Sequence, residues 1–429
     1  MSIMRILTPK RKARIGVLSM KIACFFYGIG KNGILGKGLF VLYKIFLRLV
    51  DMTVLPVLNA DVYKERTGNV QITTIQTKRI GVTANIIIAG NPVNTMLTEK
   101  PMPDLRLKMF KNVCIQGNSD VVVDSQNGYV ISEEAYNLED NLEIIDGLLY
   151  RTSDNICLLR DNLCHPKEHV ESGIMISGKF CDNYYHLLYE NLNKLVFLNC
   201  LVIPENVPII IDRKTLEIPS CRRIFEILAE TINRPVVTIE SNKVYLFDML
   251  YCLDHINKLP SHLKDVHKPT EVLYSPQALL RLREKLLPFK DSNTYPKRIF
   301  ISRANTRRRR FNEEEVFEVL KKYGFTRIAP ERYSLEEQIA LFDTADYIVA
   351  GSGAALTNLL FVKRNCNVIC FGGSTNNEMC DTPVFNTIAN LNGANFYFFP
   401  RENKIGENVH ANFTINCGVL ENFVKSIIQ

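Results

Sequence analysis

The chain has 429 residues, of which 46% are hydrophobic and 23% are charged. This composition is typical of a globular protein and excludes a low-complexity chain, and the length predicts two domains plus an appendage. The net charge of +7 belongs to residues 1–50, which contain ten Lys and Arg and no Asp or Glu. Removing these ten from the 52 basic residues leaves 42 against 45 acidic ones, which excludes a chain that is basic along its whole length.

Residues 1–58 are predicted to form a basic, amphipathic segment that associates with membranes. Lys37, Lys44 and Arg48 fall on one side of a helix, with apolar residues around the remainder, as in helices that lie in an anionic membrane surface. Charges interrupt the apolar run too often for a spanning helix, and no small-residue cleavage site marks a secretory signal. The alternative is a terminal helix docked on the protein's own core.

Twelve cysteines are scattered along the chain, without the two-residue spacing of zinc or thioredoxin-type sites. Several lie in apolar runs such as VFLNCLVI and NVICFGG, where a free cysteine packs as a small hydrophobic residue. We interpret them as reduced core residues. Together with the basic N-terminal segment, they predict a cytoplasmic protein that is peripheral on the inner face of the cell membrane.

Residues 59–285 are predicted to form a first domain. Short β-like runs occupy residues 60–165, and from about residue 170 helices alternate with buried strands. The elements are a helix over 186–201, a strand over 207–212, a helix over 220–232 and a strand over 234–240. Such alternation predicts a parallel sheet with crossover helices. Residues 255–297, which are richer in Pro, His and Lys, are predicted to connect this domain to the next.

Residues 286–429 are predicted to form a second domain with a regular strand–helix alternation. A strand ends at Arg303, and the following helix is capped by Asn312 and stopped by Gly324. Ser334 and Glu337 predict a capping box for the next helix. Two such halves in series predict an α/β fold with two Rossmann-type domains that face a ligand-binding cleft.

The stretch AGSGAALTN, residues 350–358, stops a strand with small residues and then continues as a helix. Gly351 and Gly353 let a ligand approach the backbone. The helix start directs free N–H groups and the positive dipole end outward, with the Ser352 hydroxyl as a further donor, which predicts an anion site. The alternative is a tight strand–helix turn whose small residues serve close packing.

Arginines favour the anion site. Arg303 ends the neighbouring strand, and four arginines follow at 307–310; if the strands are parallel, they lie at the same edge as the glycine turn. Arginine makes bidentate contacts with phosphate oxygens, so a departing diphosphate needs no Mg²⁺ here. The alternative is a solvated or RNA-binding face, which is disfavoured because the run is one cluster without interleaved aromatic residues.

Residues 298–373 resemble the C-terminal half of glycosyltransferase family 61, including its bacterial capsular-polysaccharide members. The motifs that carry the resemblance are FISR, RRRRFNEEEV, YGF, PERYSLEEQIALF and GSGAALTNLLF, with CDNYYHLLYENLNKLVFL further upstream. The chain departs from the family at one position, because many relatives have His where it has Ser352. Serine can donate to a phosphate oxygen, but it carries no positive charge and cannot act as a base.

The resemblance implies a GT-B-like pair of Rossmann-type domains and inverting transfer of a sugar from a nucleotide sugar, with no metal or other cofactor. Glu331 and Gln338 match positions that contact the sugar or the ribose. The matching motifs imply that the donor diphosphate is lined by Arg303, Arg309, Asn312, Ser352, Gly353, Ala354, Ala355 and Asn358.

Inverting transfer also requires a base that removes the proton of the acceptor hydroxyl. His186 is the candidate catalytic residue, because it lies in the upstream motif and histidine is the usual acid–base group at neutral pH. Glu190, four residues later on the same helix face, is placed to orient His186 or to act as the base itself. The alternative is an amphipathic helix with His186 in the core.

These features predict a hexosyl- or pentosyltransferase that extends a surface or capsular polysaccharide or a lipid-linked oligosaccharide. The expected partners are a nucleotide sugar, a glycan or lipid-linked acceptor and an anionic membrane surface bound by residues 1–50, and no nucleic acid. The alternative, motivated by Ser352, is a catalytically weakened relative that binds glycans or nucleotide sugars. RNA binding through residues 307–310 is a third hypothesis.

Overall fold

The computed structural model describes residues 52–84, 97–133, 136, 143–144, 149–151, 155–257, 272–306, 309–374, 384–401 and 411–428. The predicted membrane segment up to residue 51, and Arg307 and Arg308 of the arginine run, lie outside the described residues. Residues 52–58, which the predicted segment 1–58 included, form the first strand. None of the described helices is long and apolar enough to cross a membrane.

The described residues up to 257 contain strands β1 Met52–Leu58, β2 Val70–Gln76, β3 Arg79–Ala84, β4 Leu97–Met102, β5 Leu105–Gln116, β6 Val122–Asp124, β7 Tyr129–Ile131, β8 Glu143–Ile144, β9 Leu149–Arg151, β10 Ile156–Arg160, β11 Glu168–Met175, β12 Ile209–Asp212, β13 Val236–Ile239 and β14 Val244–Leu253. Twelve of them form one mixed sheet in the order β13-β12-β11-β14-β5-β6-β7-β1-β10-β9-β8, with β2 beside β5. The neighbouring strands β13, β12, β11 and β14 run parallel, whereas β5 is antiparallel to β14. Strands β3 and β4 pair separately.

One irregular helix, α2, matters most for function. It is α-helical over Tyr184–His186, widens to a π turn over Leu187–Asn191 and tightens to a 3₁₀ helix over Leu192–Cys200. The Asn183 side chain begins it by accepting a hydrogen bond from the Tyr185 amide at 3.0 Å. The other helices here are α1 Ala60–Thr67, α3 Arg213–Glu217, α4 Pro219–Ala229 and α5 Pro276–Leu286, with 3₁₀ turns at Asp161–Cys164 and Leu287–Phe289.

The second sheet contains β15 Arg298–Ile301, β16 Thr326–Ile328, β17 Tyr347–Gly351, β18 Asn367–Ser374 and β19 Asn395–Arg401. These five strands are parallel and lie in the order β16-β15-β17-β18-β19. Its helices are α6 Glu313–Lys321, α7 Leu335–Thr344, the 3₁₀ helix α8 Ala354–Phe361, α9 Phe385–Leu391 and α10 Cys417–Ile427, with a 3₁₀ turn at Pro330–Arg332. The strand order reverses between β15 and β17, which is where open α/β sheets bind ligands, at the carboxyl ends of the strands.

Helices cover both faces of the parallel sheet. Phe300 and Val349 pack with α6 and α10 on one face, whereas Ile299, Ile301 and Ile348 pack with α7, α8 and α9 on the other. The second cluster continues into α2 and α4, so one apolar core crosses the boundary predicted at residue 285. The α/β class is therefore confirmed. The larger sheet is mixed and not purely parallel, so a second Rossmann-type domain and a GT-B-like cleft stay predictions.

The predicted connection over residues 255–297 is more structured than the sequence indicated. It contains helix α5, and Tyr274, which is fully buried, pairs its backbone with Val82 of β3. Tyrosine and leucine side chains of this stretch lie in the core, and its role as a connection between two domains stays a prediction. Residues 258–271 lie outside the described residues.

Four local predictions need comment. The capping box of Ser334 and Glu337 at the start of α7 is confirmed. Asn312 stands at the cap position of α6, but its side chain does not cap the helix, so that prediction was wrong. Strand β15 ends at Ile301, before Arg303, and Cys200 is exposed although its apolar surroundings predicted burial.

Candidate functional site

Two arginines converge on the turn after β17. The Arg303 Nη1 atom donates to the Ser352 carbonyl oxygen at 3.1 Å, and Arg309 Nη1 donates to the same oxygen at 3.3 Å. Arg309 Nη1 also lies 3.5 Å from the Ser352 hydroxyl. The carboxyl ends of β15 and β17 therefore bring together the arginines and the glycine turn, as the parallel-strand argument predicted.

Neighbouring groups fix Arg303 in this position. The Glu313 carboxylate, at the start of α6, accepts from the Arg303 amide at 2.7 Å and from the Ser302 hydroxyl at 2.5 Å. Gly353 leaves room for the guanidinium, because a Cβ there would stand 2.0 Å from Arg303 Nη1. Arg309 adopts a left-handed backbone (φ 55°), a strained state for a non-glycine residue that is often found at functional sites.

The electrostatics of this turn favour an anion. Burial, and after it the positive charge of Arg309, lowers the pKa of the Arg303 guanidinium below its ordinary value. Helix α8 begins beside these charges, and its first residue, Ala354, is exposed. The first N–H groups of a helix have no partner within the helix and carry the positive end of its dipole. Arginines and helix start together can hold a phosphate group.

Helix α2 packs directly on α8 through hydroxyl groups. Tyr184 donates to Asn358 Oδ1 at 2.7 Å, and Tyr189 donates to the Thr357 carbonyl oxygen at 2.8 Å. The Asn358 amide donates in turn to Gln338 Oε1 at 2.9 Å. Asn358 and Gln338 are buried, at 0% and 5% exposure. Both predicted donor residues therefore lie inside the protein, where their hydrogen bonds connect α2, α8 and α7. Their donor-binding roles stay predictions.

Two further predicted donor residues have hydrogen-bond partners outside the turn. Asn312 exchanges hydrogen bonds with the Ile415 backbone, donating at 3.1 Å and accepting at 2.9 Å. Glu331 is exposed and accepts from Asn305 Nδ2 at 3.0 Å. The structure thus groups Arg303, Arg309, Ser352, Gly353, Ala354 and Ala355, and holds the other predicted residues in contacts of their own.

His186 and Glu190 form the pair that the sequence predicted. His186 Nδ1 lies 2.5 Å from Glu190 Oε1, and the histidine side chain is 30% exposed whereas the glutamate is 4% exposed. The Phe180 ring packs on the imidazole with centroids 4.7 Å apart. With Nδ1–H donated to Glu190, Nε2 is the nitrogen that can accept a proton. The pair can therefore act as an oriented general base.

A second histidine–carboxylate pair lies beside the first and was missed by sequence reasoning. His255 Nε2, on a side chain that is 42% exposed, lies 3.8 Å from Asp120 Oδ2. Burial raises the pKa of Asp120, but the positive charges of His255, Lys194 and Lys179 outweigh it and lower that pKa. The pKa of His255 is lowered, because crowding by the surrounding protein and the positive charges of Lys194 and Lys179 outweigh the negative charges of Asp120 and Glu190. These residues form one electrostatic cluster, which the polar stretches after β5, β11 and β14 could have indicated.

Comparison with known proteins agrees with this geometry. Residues 165–369, that is 205 of the 429, match the family model described as Glycosyltransferase 61. The matched region includes both His186 and the arginine turn. The matched region, just under half of the chain, is thus similar to glycosyltransferase family 61. A glycosyltransferase binds a sugar donor and an acceptor, and the match supports that activity. No curated protein shows significant similarity to the chain.

Proposed function

We propose that the chain is an inverting, metal-independent glycosyltransferase that moves a hexosyl or pentosyl unit from a nucleotide sugar to a glycan or lipid-linked acceptor. One observation carries the proposal: Arg303 and Arg309 converge on the Ser352 carbonyl at the start of α8. Positive groups arranged before the reaction stabilise the negative charge that develops on a departing diphosphate. Two guanidinium groups and a helix start supply this charge without a metal ion.

The reaction is a single displacement at the anomeric carbon. The acceptor oxygen attacks that carbon from the face opposite the diphosphate, and the bond to the diphosphate oxygen breaks as the new glycosidic bond forms. His186 Nε2 takes the acceptor proton, and Glu190, 2.5 Å from Nδ1, stabilises the imidazolium that results. The electron pair of the broken bond leaves with the nucleoside diphosphate, which Arg303 and Arg309 hold.

We infer that the acceptor belongs to a surface or capsular polysaccharide, or to a lipid-linked oligosaccharide, at the inner face of a bacterial cell membrane. The inference is supported by the resemblance to capsular members and by the basic, apolar residues 1–50. Positive charges next to apolar residues bind anionic lipid surfaces. In this proposal the N-terminal segment keeps the enzyme near its membrane-bound acceptor.

A second candidate function rests on Ser352. Its side chain is 6% exposed and its hydroxyl lies 3.5 Å from Arg309, so it can donate to a phosphate but cannot replace a catalytic histidine. A protein with this substitution could bind nucleotide sugars or glycans without transferring sugar. Both functions predict that the chain binds a nucleotide sugar, but only the transferase predicts turnover.

Turnover of a panel of nucleotide sugars separates the two functions. UDP-, GDP-, dTDP- and CMP-sugars are incubated with wild type, Arg303→Met and Arg364→Met, and released nucleotide is measured with and without glycan acceptors. Arg364 is exposed beyond the far end of α8 and serves as the matched control. Turnover that is lost with Arg303 and kept with Arg364 supports the transferase. Donor binding without turnover for any acceptor supports the binding protein instead.

A further inference from the structure

Phe180 is an aromatic residue that the fold leaves at the surface. It is 36% exposed, and among the aromatic side chains that the structure describes it is the only exposed one. Phenylalanine side chains are normally buried, because folding removes their apolar surface from water. A single exposed apolar residue needs no explanation by itself, so the way the chain holds this ring and the groups beside it decide its meaning.

The backbone of Phe180 is strained. Its φ of 56° lies in the left-handed region, which is rare for a bulky residue. The other described non-glycine residues with a positive φ are five asparagines, a lysine and an arginine, and asparagine is one of the few residues that tolerate this region. Such strain persists only where the surrounding structure imposes it, and it is most frequent at functional sites.

Neighbouring segments impose this conformation from both sides of Phe180. Before it, the Lys179 amide donates to Asp120 Oδ2 at 3.3 Å. After it, the Cys181 amide donates to Asn118 Oδ1 at 3.0 Å. Side chains of α2 and α3 donate to the carbonyl oxygens of the same two flanking residues. These hydrogen bonds fix the backbone of the turn, and with it the direction in which the Phe180 side chain leaves the chain.

The exposed ring lies against the candidate base. The centroids of the Phe180 ring and the His186 imidazole are 4.7 Å apart, with the two planes inclined at 38°. The His186 side chain is itself 30% exposed, and Glu190 holds its Nδ1 atom. The acceptor hydroxyl has to reach the Nε2 atom of this imidazole. The sugar ring that carries the hydroxyl must therefore lie next to Phe180.

We propose that Phe180 is the stacking surface for the acceptor sugar, whose pyranose ring places its apolar C–H face on the exposed part of the phenyl ring. The face of an aromatic ring is negative and attracts the slightly positive C–H groups, and stacking also removes apolar surface from water. The acceptor class is a pyranose with equatorial hydroxyls, because its axial hydrogens form such a face. The proposal rests on the transferase function and names a residue that selects its acceptor.

A tryptophan reporter tests whether sugars bind at this ring. The chain contains no tryptophan, so Phe180→Trp introduces a single fluorescent probe into the full chain. Cellobiose, xylobiose, chitobiose, maltose and lactose are titrated, and D-glucitol, which has hydroxyls but no ring, is the control ligand. We expect the emission to change and saturate with at least one disaccharide and to stay constant with D-glucitol.

Val419→Trp is the matched control protein, because Val419 is an exposed apolar residue of α10. Its emission should respond to none of the sugars. A Phe180→Trp protein that responds to no disaccharide, or that responds no more than Val419→Trp, overturns the proposal.

Three further substitutions measure the contribution of the ring. Phe180→Leu keeps an apolar side chain against the imidazole but has no aromatic face, so the dissociation constant of the responding disaccharide should rise about three- to tenfold by calorimetry. Phe180→Tyr keeps the ring and should recover most of this loss. Phe180→Asn lacks the ring but suits the left-handed backbone, so it should lose affinity without a lower melting temperature. A folded Phe180→Leu protein with wild-type affinity contradicts the proposal.

Steady-state kinetics distinguish sugar stacking from a role limited to supporting His186. If Phe180 stacks on the acceptor, Phe180→Leu should raise the acceptor KM with a much smaller change in kcat. A support for the imidazole would instead lower kcat and shift its pH profile at an unchanged acceptor KM. That second pattern would contradict the proposal.

Nucleoside diphosphate titrations of the same samples separate this inference from the proposed function. A chain whose disaccharide affinity depends on Phe180 but that binds no nucleoside diphosphate keeps the stacking site and loses the transferase. A chain that binds a nucleoside diphosphate but whose disaccharide affinity does not depend on Phe180 keeps the transferase and loses the stacking site.

Discussion

At the scale of single residues, Gly353 limits where the Arg303 guanidinium can lie. A Cβ at this position would stand 2.0 Å from Arg303 Nη1, while the extended backbone at φ 170° accepts alanine. Gly353→Ala should therefore push the guanidinium off the Ser352 carbonyl and weaken nucleoside diphosphate binding about tenfold. The melting temperature should change little, because only the end of a flexible side chain moves. Calorimetry and thermal melting measure the two effects.

Gly418→Ala is the matched control for this substitution. Among the described residues, a Cβ there meets only Asn416 Oδ1, at 3.6 Å, so the variant should bind nucleotide like wild type. Wild-type affinity in Gly353→Ala would contradict the placement of the diphosphate at the turn.

His186 carries the proton-transfer prediction. His186→Ala should lower kcat about 10²- to 10⁴-fold, the usual contribution of a general base, with a much smaller change in donor KM. Glu190→Gln should lower kcat less, because the amide still orients the imidazole but no longer stabilises its charge. Initial rates at saturating donor test both. His169→Ala is the control, because His169 is 59% exposed and pairs with Asp248 elsewhere on the surface.

At the scale of elements, the contact between α2 and α8 fixes the helix that carries His186 against the helix that begins at the anion site. Tyr184→Phe removes the 2.7 Å bond to Asn358 Oδ1 and leaves that buried oxygen without its partner. Such a loss costs about 1–3 kcal/mol in the free energy of unfolding. Urea unfolding of Tyr184→Phe, Asn358→Leu and the double variant measures it. A double variant that loses the full sum of the two single losses would show that the bond does not couple the helices.

Most helices and strands could be predicted from the sequence in the regions where buried strands alternate with amphipathic helices. Strands β12 and β17 are continuous apolar runs because both faces are covered, and the capping box of Ser334 and Glu337 is a local signal that needs no tertiary information. The Asn312 prediction failed because the side-chain oxygen accepts from the Ile415 backbone amide, 103 residues away, and not from a backbone amide of its own helix. Such long-range competition leaves no trace in local spacing.

At the scale of the whole molecule, the charge asymmetry predicts a membrane-bound enzyme. Residues 1–50 contain ten basic residues and no acidic ones, so the full chain should sediment with vesicles that contain phosphatidylglycerol, less so as salt is raised. A chain that begins at residue 51 keeps β1 and should stay in the supernatant. Vesicles of phosphatidylcholine alone are the control. Equal sedimentation of both chains would exclude the N-terminal segment as the anchor.

The candidate site was predictable only in part, for a physical reason. Arg303 and Ser352 could be brought together from sequence, because parallel strands place their carboxyl ends at one edge of a sheet. Asp120, Lys194 and His255 come from two loops and one helix that are far apart along the chain, and no motif spacing links them. Their proximity depends on the register of β5, β11 and β14, which the sequence does not reveal.

A crystal structure of the full chain with a bound nucleoside diphosphate tests the central claim most directly. The nucleotide is the one of UDP, GDP, ADP, CDP and dTDP that raises the melting temperature most. We expect phosphate oxygens within about 2.7–3.2 Å of the Arg303 or Arg309 guanidinium and of the N–H groups of residues 353–355. A diphosphate bound elsewhere, with Arg303 still on the Ser352 carbonyl and no phosphate at the start of α8, would contradict the account.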